Sequence, residues 1–169
     1  LSKNILFSKN ELKDIYNKIS IGALKYFILK VSSNRKILFN PKDSINFQGD
    51  TGPFIQYTYA RINSILRKNI KKVEIDEGVN ITHKERELIK HLLGFPKLIQ
   101  ESANLYSPAL VANYIYDLVK EYNSYYQSTS VLGAESDTLI SFRVALSKKV
   151  SEIIKTGMSL LGIQVPERM

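Results

Sequence analysis

The sequence predicts an all-α protein, a helical bundle, on the strength of three observations. Ser8 with Glu11, and Thr82 with Glu85, have the spacing of a capping box, in which two side chains bond reciprocally to the first turn of a helix. Pro53 follows a turn-rich stretch and suits the first turn of a helix, where no N–H donor is needed. Apolar residues of the C-terminal half recur at helical spacing, at Val111, Ile115, Leu118 and Tyr122.

The composition favours a polyanionic partner. The chain has 169 residues, enough for one well-buried core, and 24 Lys and Arg against 16 Asp and Glu give a formal net charge of +8. Such a charge favours phosphate contacts through counterion release, although many basic domains bind no nucleic acid. The chain also has 10 tyrosines and no tryptophan. A tyrosine ring offers an unpaired RNA base both a stacking face and a hydrogen-bonding tip.

Several kinds of site are excluded or disfavoured by the residue types present. Cysteine is absent, which rules out disulfides and thiolate metal sites and fits a cytoplasmic protein. We expect His83 and His91 to be solvated or at the edge of the core, and we assign no metal ligand. No apolar run approaches the roughly 20 residues that span a bilayer, so no membrane partner is expected. Because the sequence begins at Leu1, we expect it to be an excised piece of a longer chain.

The N-terminal region is predicted to form two helices. The first covers 8–19, and the sequence Ser-Ile-Gly at 20–22 is expected to break it. The second covers 23–31, is apolar on nearly all sides, and is expected to be buried against several neighbours. A strand over 26–31 is an alternative, and a short extended piece is expected at 36–39.

A central helix is predicted to begin at Pro53, with Asp50 or Thr51 capping its first turn. One side is predicted to be apolar and the opposite side to be polar and rich in aromatic rings. The apolar side comprises Phe54, Thr58, Ile62, Ile65 and Leu66. The polar side comprises Gln56, Tyr57, Tyr59, Ala60 and Arg61.

The rest of the chain is predicted to be helical after a charged, turn-like stretch at 68–82, the expected boundary inside the chain. An alternation of apolar residues at 73–81 is too short to predict a strand. The predicted elements are a helix at 82–93 ended by Gly94, another from Pro96, a helix at 109–126, a loop at 128–135 and a helix at 136–161. The exposed side of the 109–126 helix is predicted to carry Asn113, Tyr116, Lys120 and Asn123. The last helix is predicted to bury Leu139, Phe142, Leu146, Val150, Ile153, Gly157 and Leu160.

Two separated regions resemble one protein family. The first contains Phe47, Gly49, Thr51, Pro53, Gln56, Tyr57, Ala60 and Arg61. The second contains Phe95, Pro96, Pro108, the run 113–118, Asn123, Tyr125, Tyr126, the run 143–146 and the ending 157–169. Together they resemble the C-terminal anticodon-binding region of arginyl-tRNA synthetase, a class I aminoacyl-tRNA synthetase. The helical signature named after Asp-Ala-Leu-Arg is matched only loosely, by Arg143 and Leu146.

The resemblance implies a helical bundle of the class I synthetase anticodon-binding type. It implies that 1–46 is the helical end of the catalytic half and that 47–169 is the anticodon-binding domain, a monomer that binds tRNA-Arg. The full enzyme uses ATP with Mg and arginine, but its two catalytic signatures are absent from this sequence, as is any convincing glycine-rich phosphate loop or nucleophile with its base. No catalytic residue or cofactor is therefore assigned, and the piece is expected to be inactive alone.

The resemblance also implies RNA-contact residues. It places Tyr126 near the anticodon and Met169, with its carboxylate, at the same pocket. Arg143 and Asn113 are predicted to contact a base edge or a phosphate. Ser130 stands where some relatives have a second aromatic ring. A third group, which either holds the domain junction or touches RNA, comprises Gln56, Tyr57 and Arg61.

Other interpretations compete with these assignments. Tyr114, Tyr122 and Tyr125 are expected at the edge of the core, Lys148 and Lys149 on a solvated helix face, and Gly157 at a close helix contact. A freestanding helical RNA-binding protein would bind with a steep salt dependence and little dependence on the anticodon. A helical protein-interaction module would carry its positive charge incidentally. A synthetase for cysteine or methionine shares the helical domain, but the central segment and the ending argue against it.

Overall fold

The computed structural model describes residues 7–38, 40–69 and 78–169, and within those ranges it contains six α-helices and no β-strand. In chain order they are α1 (Lys9–Leu29), α2 (Pro41–Ser44), α3 (Gly52–Lys68), α4 (His83–Asn104), α5 (Pro108–Ser128) and α6 (Asp137–Leu160). Helices α3 to α6 surround one apolar core, and α1 lies against α3 and α5. The all-α prediction is confirmed. Most of the predicted boundary at 68–82 lies outside the described residues.

The prediction of two N-terminal helices is wrong, because α1 continues without a break through Ser20 and Gly22. The Ser20 hydroxyl donates to the carbonyl of Tyr16 at 2.9 Å and stays within the helix. Glycine costs a helix only about 1 kcal/mol relative to alanine. Gly22 also leaves room for a neighbour, since a Cβ there would lie 2.5 Å from Nε2 of Gln56 and would displace that side chain. Close packing therefore retains a glycine that the sequence suggested was a helix breaker.

One face of α1 is exposed, contrary to the prediction that its C-terminal half is buried on several sides. Its buried residues are Gly22, Ala23 and Tyr26. Ile21, Leu24 and Ile28 are 54%, 44% and 47% exposed. The alternative of a strand over 26–31 is excluded because the helix extends to Leu29, and no strand forms at 36–38. Residue 39 lies outside the described residues.

Thr51, and not Asp50, caps α3. The backbone N–H of Phe54 donates to Oγ1 of Thr51 at 3.3 Å. Asp50 instead accepts from the hydroxyl of Tyr26 at 2.6 Å and from Nζ of Lys30 at 3.1 Å. Thr51 therefore caps the N-terminus of α3, whereas Asp50 connects this N-terminus to α1 through hydrogen bonds.

The polar side of α3 is narrower than predicted. Gln56, Tyr59 and Ala60 are buried, and only Tyr57 and Arg61 of the predicted set keep exposed surface. The reason is tertiary: α1, α5 and α6 all contact α3 and cover it on more than one side. A single amphipathic stripe is expected only for a helix with one covered face.

Helix α4 is continuous where two helices were predicted, and it passes through Gly94 and Pro96. A proline removes one helical hydrogen bond and usually ends or kinks a helix. Here Phe95 is 6% exposed and anchors this turn in the core. The hydroxyl of Tyr114 from α5 donates to the carbonyl of His91, on the turn before the proline. Packing against α5 therefore overrides the local signal.

The α5–α6 pair forms the centre of the core. A Cβ at position 157 would lie 2.5 Å from Cδ1 of Ile115, so the prediction that Gly157 permits close packing is confirmed. The buried side of α6 is rotated from the predicted one, because Ile154 and Met158 are fully buried while Leu160 is 60% exposed. Ser107 precedes α5 as expected but makes no side-chain capping bond.

Replacement of Gly52 with valine is expected to lower the free energy of unfolding by about 1–3 kcal/mol. A Cβ at this position would lie 2.7 Å from the carbonyl oxygen of Gly22, and a backbone atom cannot move aside without separating α1 from α3. Urea unfolding followed by circular dichroism measures the change. Gly94→Ala is the control, because the nearest atom to its new Cβ is Oη of Tyr114 at 3.4 Å. Equal stability of Gly52→Val and wild type would contradict the close crossing of the two helices.

Candidate nucleic-acid interface

An arginine side chain lies between two tyrosine rings on the surface where α3 meets α5. The guanidinium carbon of Arg61 is 4.8 Å from the ring centroid of Tyr57 and 5.4 Å from that of Tyr126. The two tyrosines are 41% and 36% exposed. Planar aromatic and guanidinium groups are the surfaces on which unpaired bases stack. We call these three residues the Tyr57–Arg61–Tyr126 cluster.

The cluster is held in place from the protein side. Nη1 of Arg61 donates to Oδ1 of Asn123 at 2.6 Å, and Nδ2 of Asn123 donates to Oγ1 of Thr58 at 2.9 Å. The ring of Tyr126 stacks on that of the fully buried Tyr122, with centroids 6.3 Å apart and an interplanar angle of 18°. The prediction that Asn123 is exposed is therefore wrong. Its buried amide fixes the orientation of the arginine.

A cavity of about 470 Å³ lies beside Tyr126, at the C-terminal end of α5. Ile65 and Lys68 of α3 form one part of its lining, and the segment 126–132 forms the other. Ser130 is part of this segment. The lining combines one cation with several hydroxyl groups, a combination able to hold a phosphate or the polar edge of a base.

A second cavity, of about 580 Å³, borders Tyr57. Its lining comprises Phe7, Leu12, Ile15, Tyr16, Ile19, Phe47, Gln48, Tyr57 and Met169. The ring of Phe47 meets that of Tyr57 edge to face, with centroids 6.4 Å apart. Met169 and Tyr57 therefore line the same cavity, whereas Tyr126 lines the other one, so the single pocket implied for Tyr126 and Met169 is divided in two. Arg61 lies between the two tyrosines.

Gln56 has no exposed surface. Its Nε2 donates to the carbonyl of Lys18 in α1 at 2.9 Å and to the carbonyl of Gln164 in the C-terminal tail at 2.8 Å. Two further bonds hold the same tail, from Lys25 to the carbonyl of Gly162 at 2.6 Å and from Arg67 to that of Glu167 at 3.1 Å. Of the two roles predicted for Gln56, the packing role fits this geometry and a direct RNA contact does not.

Arg143 is turned into the protein, although it was predicted to contact a base edge or a phosphate. Its side chain is 11% exposed, and its Nε donates to Oε1 of the fully buried Glu85 at 2.8 Å. Its Nη1 donates to the carbonyl of Ser130 at 2.9 Å. The two charged residues are 58 positions apart in sequence, so no local pattern indicated the pair. The geometry gives Arg143 a structural partner in place of RNA.

Glu85 is held on two sides. Its Oε2 accepts from the backbone N–H of Thr82 at 2.7 Å and from its hydroxyl at 2.9 Å, which completes the predicted capping box. Burial alone would raise the pKa of this carboxyl group. The hydrogen bonds from Thr82 and Arg143 outweigh burial and hold the pKa of Glu85 below its ordinary value.

Asn113 does not join the other predicted site residues. It lies on α5, about 20 Å before Tyr126 along the helix axis. Its Nδ2 donates to the carbonyl of Lys30 at 3.4 Å, at the end of α1. A single small RNA loop bound at the Tyr57–Arg61–Tyr126 cluster would not need this residue.

The other three tyrosines belong to the core and are not platforms for bases, but two of them lie deeper than the core edge that was predicted for them. Tyr122 and Tyr125 are fully buried, and Tyr114 packs against the rings of His91 and Phe95. Burial raises the pKa of Tyr122 to about 12 and also raises that of Tyr125. These rings therefore support the core and do not offer a free face.

The histidines and the paired lysines behave as predicted. His83 is 86% exposed in its side chain, and Nδ1 of His91 lies 2.8 Å from Oε2 of Glu121. No group of three potential metal ligands occurs in the described ranges. Lys148 and Lys149 are exposed on α6. None of the helices in the described part of the chain combines the length and the apolar character of a membrane span.

Sequence reasoning missed Glu85 as a partner, Asn123 as a support, and Lys68 as part of a cavity lining. The capping-box spacing identified Glu85 only as a helix-start residue. Lys68 was assigned to the turn-like boundary, although it is the last residue of α3. The sequence did not show which residues, distant along the chain, lie next to each of these three side chains in the folded protein.

Known proteins resemble this chain in both sequence and structure. The family model described as the DALR anticodon binding domain matches residues 55–169. The arginine–tRNA ligase of Flavobacterium psychrophilum is 54% identical over 169 residues, covering 100% of this chain and 28% of that protein. The corresponding ligase of Parabacteroides distasonis is 51% identical, covering 94% of this chain and 28% of its own length.

Solved structures show the same architecture. The structure of Thermus thermophilus arginyl-tRNA synthetase matches with a TM-score of 0.91 and 32% identity, covering 99% of this chain and 29% of that one. The Plasmodium falciparum arginyl-tRNA synthetase matches with a TM-score of 0.83 and 26% identity, covering 94% and 28%. The chain thus spans less than a third of the length of these relatives. The resemblance seen in the sequence is confirmed, and the chain belongs to the DALR anticodon-binding domain family.

Proposed function

We propose that this chain is the C-terminal tRNA-binding part of an arginine–tRNA ligase and that it binds the anticodon arm of tRNA-Arg. The observation that carries the proposal is the exposed Tyr57–Arg61–Tyr126 cluster, with a cavity on either side. ATP-dependent aminoacylation of the tRNA, with Mg and arginine, belongs to the part of the enzyme that precedes this chain. We further propose a monomeric enzyme of the cytoplasm, with 1–46 ending the catalytic half and 47–169 binding RNA.

The chemistry of recognition follows from the genetic code. Arginine codons share a middle G, so every arginine anticodon has a middle C. A protein that selects this base must unstack the loop, stack the freed base on a planar side chain, and bond to the cytosine edge. Tyr126 and Arg61 offer the planar faces. Met169 lines the cavity that also borders Tyr57, and in this proposal its terminal carboxylate accepts a hydrogen bond from the cytosine amino group.

The exposed apolar face of α1 supports the view that the chain acts within a larger protein. Ile21, Leu24 and Ile28 recur at helical spacing and are each more than two-fifths exposed. Apolar side chains grouped in this way mark a surface that another part of a protein covers. In the proposed enzyme, the catalytic half preceding the chain covers it.

Two rival functions make different predictions. A freestanding RNA-binding protein would bind stem-loops with little dependence on the anticodon, through charge alone. A protein-interaction module would bind no stem-loop at physiological salt. The buried support of Arg61 by Asn123 favours a site with fixed geometry over a diffuse basic surface.

The test is a binding titration at fixed low salt with an arginine anticodon stem-loop and one whose middle C is changed to A. For wild type, the base change is expected to weaken binding by roughly 1–3 kcal/mol. Tyr126→Ala is expected to weaken binding of the C loop by a similar amount, because the base loses its stacking face. When the base change and Tyr126→Ala are combined, the loss of binding free energy should be smaller than the sum of the two separate losses, because both remove the same contact.

Tyr106→Ala is the matched control, because Tyr106 is 92% exposed at the α4–α5 turn and lies outside the cluster. It is expected to bind both loops as wild type does. If wild type binds the two loops equally, the proposal of anticodon recognition by this chain is wrong. If Tyr126→Ala retains full discrimination, recognition exists but is made by other residues.

A further inference from the structure

The loop between α5 and α6 forms one wall of the cavity beside Tyr126. It begins directly after α5 and supplies Thr129 to Leu132 to the lining. Val131 is 3% exposed and anchors the loop in the core. The hydroxyl of Ser130 accepts from the backbone N–H of Gly133 at 3.1 Å, which makes a local turn. The position of this wall relative to the Tyr126 ring sets the width of the cavity.

One charged side chain connects this wall to the rest of the bundle. Arg143 of α6 donates through Nη1 to the carbonyl of Ser130 at 2.9 Å and through Nε to Glu85 of α4 at 2.8 Å. Glu85 is itself fixed by two bonds from Thr82. A continuous chain of hydrogen bonds therefore links the loop to the start of α4.

We propose that Arg143 is a positioning residue for RNA recognition, which acts with Glu85 to hold the Ser130 carbonyl and so fixes the loop beside Tyr126. This proposal rests on the proposed function, because it concerns the site at which the anticodon loop would bind. In it, Arg143 affects which loop is bound without touching RNA. Glu85 acts through Arg143 in the same way.

The geometry argues against a direct phosphate contact by Arg143. Its side chain is 11% exposed, and its positive charge is neutralised by a carboxylate at 2.8 Å. The planar guanidinium group presents donors in two directions at once, toward Glu85 and toward the Ser130 carbonyl. A lysine at this position would keep the charge and one partner, but its single ammonium group would not hold both with the same geometry.

Arg143→Lys in the 169-residue chain tests the proposal, with Glu85→Gln as a second variant that keeps the shape of the side chain. Both are read out by the ratio of affinities for the C and A stem-loops and by hydrogen exchange of the amides at 130–135. We expect both variants to remain folded by circular dichroism, to exchange these amides faster, and to lose about tenfold in the affinity ratio, the size of one stacking contact. Affinity for the A loop should change little.

Lys149→Met is the control, because it removes one positive charge from the same helix at an exposed site whose partner is Glu152. It is expected to weaken the binding of both stem-loops by the same factor and to leave hydrogen exchange of the amides at 130–135 unchanged. The positioning role is wrong if Arg143→Lys is folded and retains the wild-type ratio of affinities for the C and A stem-loops. It is also wrong if this variant binds both stem-loops more weakly by the same factor while its amides exchange at the normal rate. Faster exchange at 130–135 with an unchanged ratio would overturn it too. If wild type does not discriminate, the proposed function fails first, and the exchange data still show whether Arg143 holds the loop.

Discussion

Replacing Glu85 with alanine is expected to lower the free energy of unfolding by about 3–5 kcal/mol. The substitution leaves Arg143 almost fully buried without its carboxylate partner, and an uncompensated buried charge has a high free energy. It also removes the acceptor for the backbone N–H and the hydroxyl of Thr82, which weakens the start of α4. Chemical denaturation monitored by circular dichroism measures the loss.

The control for this prediction is Glu87→Ala, two positions along the same helix. Glu87 pairs with Lys90 at 2.8 Å on the surface, and exposed pairs contribute less than about 1 kcal/mol. A loss for Glu85→Ala no greater than that for Glu87→Ala would mean that the ion pair with Arg143 does not persist in solution.

The same pair predicts a pH dependence of stability. The pKa of Glu85 is lower in the folded protein than its ordinary value of about 4.3, so the contribution of the ionised carboxyl group is fully present above that value. It is lost as the pH falls through the lower folded pKa. The difference in unfolding free energy between wild type and Glu85→Gln should therefore be constant near neutral pH and shrink in acid. A difference that does not change with pH would contradict ionisation of Glu85 in the native state.

Replacing Arg61 with methionine is expected to weaken binding of the arginine anticodon stem-loop by about 30- to 100-fold. The substitution removes the planar group between Tyr57 and Tyr126 and leaves the buried Oδ1 of Asn123 without its donor at 2.6 Å. Both rings then lose the side chain that fixes their spacing. Titration with the C stem-loop at fixed low salt measures the effect.

Two further variants separate geometry from charge. Arg61→Lys keeps the positive charge but not the planar face, and it is expected to recover only a small part of the lost affinity. Arg86→Met removes the same charge from an exposed position on α4 and is expected to change affinity less than about threefold. If Arg61→Met and Arg86→Met weaken binding equally, or if Arg61→Lys binds as wild type does, the cluster is a source of charge and not a stacking site.

Much of this protein was predictable from the sequence because its signals are local. Capping boxes at Ser8 and Thr82, prolines at the first turns of α3 and α5, and helical spacing of apolar residues determine where helices begin and that the fold is all-α. The family signature is likewise a property of the linear order of residues. Tyr57, Arg61, Tyr126 and Met169 were identified as site residues without any knowledge of their distances.

Only the tertiary structure decided which side of each helix is covered and which distant residues meet. Gly22 and Pro96 lie inside continuous helices, because packing against α3 and α5 offsets a local cost of about 1–3 kcal/mol. Arg143 was predicted to contact a base edge or a phosphate, whereas for Gln56 both a junction role and an RNA contact were predicted. In the structure, the two hydrogen-bond partners of Gln56 lie 38 and 108 positions away in the sequence. The ion-pair partner of Arg143, Glu85, lies 58 positions away. Hydrogen bonds over such separations form only when the chain folds. The sequence therefore determined the fold class, several helix starts and the family. The tertiary structure determined which helices are continuous and which predicted site residues face outward.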